Sequence, residues 1–168
     1  MAKRIYQYYV EGDDEKALVN TLKSDLRCIE SGKVDVFNVV QNLLKPTRLR
    51  TLKPNTIVVL VYDTDTYNVD TLQANICLLK KHPAVKEVYC IPQVMNLEDV
   101  LIQSCQINKA HELTHSRTKT DFKRDIIRCS NLGHRLTDCR FDTSKLWNKE
   151  PPNEFNQFGN DSDKIKLK

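Results

Sequence analysis

Strands that alternate with helical segments, one uninterrupted apolar strand, and acidic clusters directly after two of the strands predict an α/β fold. The expected architecture is a mostly parallel four-stranded sheet flanked by helices, with a helical C-terminal extension. Ile5 to Val10 is β-branched and aromatic and stops sharply at Gly12, which marks a first strand. Over Asp14 to Ser31, the spacing of Leu18, Leu22, Leu26 and Ile29 predicts a helix with one buried stripe, ended by Gly32. Val34 to Val40 is a second strand, followed by a basic loop broken by Pro46 and Pro54. Thr56 to Tyr62 is apolar throughout, as a central strand covered on both faces should be. Asn68 can cap the next helix, whose buried face is Val69, Leu72, Ile76 and Leu79 and which closes at Pro83. A fourth strand spans Val85 to Ile91 and ends at Pro92. Leu97 to Ile107 reads as a short helix capped by Asn96, and Thr120 to Cys129 as another.

At 168 residues the chain suits one full hydrophobic core. The expected division is a single domain over residues 1–148, with its helical extension from about residue 97, and an extended polar tail over 149–168. With 40% apolar and 29% charged residues, the composition excludes disordered and fibrous classes. No apolar run is long enough to cross a bilayer and no signal segment precedes Ile5, so no membrane contact and a cytoplasmic location are expected. Six cysteines without a Cys-x-x-Cys pair read as small core residues of a reducing compartment. Cys129, His134 and Cys139 would make a zinc cluster only with a fourth ligand that the spacing does not offer.

In an open α/β sheet, ligands bind beyond the carboxyl ends of the strands. Glu11-Gly12-Asp13-Asp14-Glu15 follows the first strand and Asp63-Thr64-Asp65 follows the apolar one, so both acidic groups fall on one edge. Asp63 and Asp65 flank a single residue and therefore leave the same face of an extended segment. Carboxylates so crowded repel, and a hard divalent cation removes that cost; magnesium takes one or two carboxylates together with waters and substrate phosphates. Asp13 and Asp14 also suit plain capping of a helix start, and Asp63 and Asp65 suit a turn. The net charge of +4 permits contact with phosphate, and the basic residues gather late in the chain. Lys119, Lys123, Arg124 and Arg128 are candidates to guide a nucleic-acid backbone, or are solvated helix charges.

Tyr9-Val10-Glu11-Gly12, with Glu15 opening the helix, and Tyr62-Asp63-Thr64-Asp65 after the apolar strand resemble the motifs of the TOPRIM domain. That Rossmann-like domain occurs in type IA topoisomerases, bacterial primases, OLD-family nucleases and small RloB-like defence proteins. The resemblance covers roughly Arg4 to Asp99. It implies that Asp63 and Asp65 bind Mg2+ (or Mn2+) and that Glu11 shares the metal or acts as general acid or base. It further implies a fourth acid after the fourth strand, a place Glu98 can fill; Glu98 and Asp99 equally fit a capping pattern after Asn96. The implied function is magnesium-dependent cleavage or processing of DNA or RNA, in a setting such as bacterial anti-phage defence. The alternative is a non-catalytic TOPRIM module that binds a partner ATPase.

Two further readings compete. His111-Glu112-Leu113-Thr114-His115 is a literal His-Glu-x-x-His, which on a helix would hold zinc for a peptidase. Against it, Lys109 and Arg117 flank the motif and no apolar stripe runs through it. A receiver-type phosphoacceptor domain would also place acids after its first and third strands. That reading requires Asp13 and Asp14 as the acidic pair and a Lys-Pro after the last strand, where this chain has Ile91-Pro92-Gln93.

Overall fold

The computed structural model describes residues 3–168. Its core is a four-stranded, all-parallel sheet in the order β2-β1-β3-β4, built from β1 (Ile5–Val10), β2 (Lys33–Val36), β3 (Thr56–Asp63) and β4 (Val85–Gln93). Helices α1 (Asp13–Ser24), α2 (Pro46–Leu49) and α3 (Asp70–Lys81) connect the strands, and α4 (Leu97–Ser104), α5 (Lys119–Arg128) and α6 (Leu132–Asp138) follow. Because β2 lies on one side of β1 and β3 on the other, the connection reverses direction between β1 and β3. The crevice at that reversal is where open α/β sheets bind ligands.

Alternation along β3 explains its unbroken apolar run. Ile57, Val59 and Val61 enter one core with α1, α4, α5 and α6, while Val58, Leu60 and Tyr62 enter a second core with α3. Phe122 and Ile126 of α5 are fully buried in the first core, so the helical extension is part of the domain's packing. Asn96 and Thr118 cap α4 and α5 by accepting the N–H groups of Asp99 and Asp121.

Five expectations are corrected, four of them at the ends of elements. Helix α1 stops at Ser24, because Arg27 adopts φ 51° and residues 28–30 pair with the C-terminal segment instead. Gly32 is needed for close approach: a Cβ there would lie 2.4 Å from the Tyr6 carbonyl oxygen. Strand β2 ends at Val36, since the Asn38 side chain accepts from the N–H groups of Val40 and Gln41 and turns the chain. Strand β4 continues through Pro92 to Gln93, which an edge strand tolerates.

The largest correction concerns residues 149–168, which are not an extended tail. They fold back through short 3-10 turns. Phe155 is buried and stacks on Tyr62 at 5.8 Å, and Ile165 is fully buried. Asp161 accepts from the Cys90 N–H at 2.9 Å, and Ile29 bridges to Lys166. Among the described residues no helix is long and apolar enough to cross a membrane.

Candidate functional site

Strands β1 and β3 end beside each other at the reversal point, and the two ends are tied together by a carboxylate. Glu11 accepts the Asp63 backbone N–H at 3.1 Å. Thr64 turns inward, its N–H shared between the carbonyls of Gln93 and Met95, so that Asp63 and Asp65 on either side line the same cleft as Glu11. That cleft measures about 260 Å³ and is closed laterally by Asn38 and by Asn68 and Thr71 at the start of α3.

The electrostatics of the cleft are those of negative charge held out of water. Burial pushes the Glu11 carboxyl above its ordinary range; Asp65 and Asp14 push the same way, while the Asp63 N–H and Lys123 oppose them. Asp63 is raised further, to about 8, chiefly by burial and then by the charge of Glu11. Lys123 projects from α5, which packs on α1, so the basic helix stands beside the acidic cleft.

Two residues that sequence reasoning did not place in the site belong to it. Gln93, 1% exposed, donates to Asp63 Oδ1 at 2.7 Å and accepts from the Trp147 indole N–H at 3.3 Å. It fixes the Asp63 rotamer from the neighbouring strand, where Asp63 and Gln93 are register partners. Glu15 is 5% exposed and its carboxyl is raised by burial, then by Asp14 and Asp63. Gly12 leaves room for this group: a Cβ there would sit 2.8 Å from Asp14 Oδ1 and 3.0 Å from Glu15 Oε2. Glu15 was visible as the opening of the helix, but its burial was not. Gln93 had no signal beyond its place after Pro92.

Glu98 is 8% exposed and its Oε1 is buried without a hydrogen-bond partner. Its charge contributes to raising Asp63, yet it lines a neighbouring cleft and not the one shared by Glu11, Asp63 and Asp65. Of the four basic candidates, Lys119 and Lys123 make no ion pair among the described residues, Arg124 is held by Asp121 and Asp125 at 3.3 and 3.1 Å, and Arg128 lines a separate depression with Arg135. Arg124 is therefore already neutralised within its own helix.

The acidic donors of the cleft are the half-buried carboxylates of Glu11 and Asp63 and the exposed one of Asp65, none of them ion-paired among the described residues, a donor chemistry that suits a hard divalent ion. Among the described residues no three His, Cys, Asp or Glu side chains converge as a ready cage. Asp63 and Asp65 are the residues that could hold such an ion, and only with waters or a phosphate completing its shell.

The competing motifs lack the geometry they need. His111 to His115 forms a 3-10 turn over Ala110–Glu112, and His115 adopts φ 56°, so the two imidazoles do not share a helix face. Cys129 Sγ contacts Asn131 and His134 contacts Asp138, with no cluster between Cys129, His134 and Cys139. Asp13, required by the receiver-type reading, is exposed at the start of α1 and outside the cleft. No protein-family model, curated protein or solved structure matches the chain.

Proposed function

We propose that the chain is a magnesium- or manganese-dependent domain that cleaves or processes nucleic-acid phosphodiesters. The observation that carries this reading is that Glu11, Asp63 and Asp65 line one cleft at the β1–β3 reversal, with the first two carboxyls raised and the charge of Lys123 acting on Glu11. The TOPRIM resemblance of the same residues agrees with it. Magnesium held by Asp63 and Asp65 would supply charge neutralisation at the scissile phosphate.

The chain's own residues have separable tasks. Gln93 holds Asp63 in one rotamer, so the carboxylate needs no reorganisation to bind. Glu11, whose raised pKa keeps a proton available closer to neutrality, is placed to exchange a proton with the attacking or leaving oxygen. Lys123, and Lys119 one turn before it, give the phosphate backbone a cationic path along α5.

The test is incubation of the protein with single-stranded and duplex DNA and RNA in Mg2+ or Mn2+. Cleavage that needs the metal and falls at least a hundredfold in Asp63→Asn is expected. Turnover that survives both chelator and substitution would refute the reading. Stable capture of an ATPase without any turnover would favour the binding module.

A further inference from the structure

Beside the acidic cleft lies a second one of about 390 Å³, within the size range of small-ligand pockets, roughly 300–1,000 Å³. Its chemistry is divided. Helix α4 supplies Glu98 and Asp99, while Lys109 and the first turn of α5, with Lys119, supply cations, and Ile102 and Phe122 give apolar surface. Glu98 is the group that calls for a ligand. It is 8% exposed, and its Oε1 has no hydrogen-bond partner. A buried acceptor left unpaired is costly, and an ionised carboxylate accepts hydrogen bonds without donating any.

Among the common nucleobases, guanine alone offers two adjacent N–H donors, at N1 and the 2-amino group, to a carboxylate. Adenine and cytosine set a ring-nitrogen acceptor beside their amino group, and uracil flanks one N–H with two carbonyls. We propose that this cleft is a guanine-nucleotide subsite, in which Glu98 accepts from N1–H and the 2-amino group while Lys109 and Lys119 hold the phosphate. Lys119 and Lys123 lie four residues apart on one face of α5, and Lys123 acts on Glu11. On the nucleic-acid reading proposed above, on which this placement rests, the bound guanine belongs to a nucleotide flanking the scissile bond.

The test is calorimetric titration of GMP, AMP, CMP and UMP into the full chain in the presence of EDTA. GMP should bind about tenfold more tightly than the other three, the discrimination of one good bidentate contact. Glu98→Gln, which keeps the shape, should erase that preference, and Lys119→Ala, at an exposed position, should weaken all four alike. Asp63→Asn should leave GMP binding unchanged. Equal binding of the four, no binding, or a preference that persists in Glu98→Gln would overturn the subsite. A Glu98→Gln variant that loses affinity for Mg2+ but not for GMP would do the same, by making Glu98 a metal ligand. Glu98-dependent GMP binding without cleavage of any substrate would refute the proposed function and leave the subsite standing. Cleavage without base preference would do the reverse.

Discussion

Asp63 is held at a cost to the fold. Its carboxyl is raised from an ordinary 3.8 to about 8, and each pKa unit corresponds to about 1.4 kcal/mol. A carboxyl raised on folding leaves full stability below the unfolded value. That stability is lost as pH rises from about 4 towards 8, while the unfolded chain ionises and the folded one does not. Asp63→Asn cannot ionise in either state. In thermal unfolding without metal, it should match the wild type near pH 4 and be the more stable by a few kcal/mol near pH 8. A variant less stable at pH 8 would show that Asp63 is not strained. If Asp63 holds the proposed metal, the same proton should make metal affinity climb with pH, because binding would require Asp63 ionised. Asp63 and Asp65 were legible in the sequence because strand alternation dictates their common side. Gln93, which orients Asp63, was not: an amide next to a proline carries no charge pattern, and its role appears only with the β3–β4 register.

At the scale of elements, composition identified every strand and the longer helices, and tertiary contacts moved their ends. The apolar run of β3 has one solution, a strand covered on both faces, and its reading needed no partner. Leu26 and Ile29 keep helical spacing, yet both lie beyond the last turn of α1, because the C-terminal segment offers Ile29 and Glu30 backbone partners. Sequence periodicity cannot see a competitor more than a hundred residues away. Gly32 illustrates the same limit, since its contact is the backbone of β1 and not a helix end. Gly32→Ala should destabilise the protein by about 1–3 kcal/mol in denaturant unfolding, as overpacking against an unyielding carbonyl does. An unchanged midpoint would mean that β1 and the 30–33 segment have room to separate.

Over the whole molecule, the polar-looking last twenty residues complete the fold that presents the site. Phe155 closes the second core against Tyr62, and Asn160 donates to the Trp147 carbonyl at 2.7 Å, holding the residue whose indole N–H meets Gln93. A few apolar residues in a polar stretch give no periodic signal, so this closure was not legible. Phe155→Ala should cost about 3–5 kcal/mol, read by chemical denaturation, whereas a loss below 1 kcal/mol would make the segment dispensable.

The most direct test of the acidic cleft is calorimetric titration of Mg2+, and then Mn2+, at pH 8 into the wild type and an Asp63→Asn/Asp65→Asn double variant. Saturable binding to the wild type that disappears in the double variant is the expected result. Absence of binding to the wild type, or equal binding to both proteins, would contradict a metal site at the end of β3.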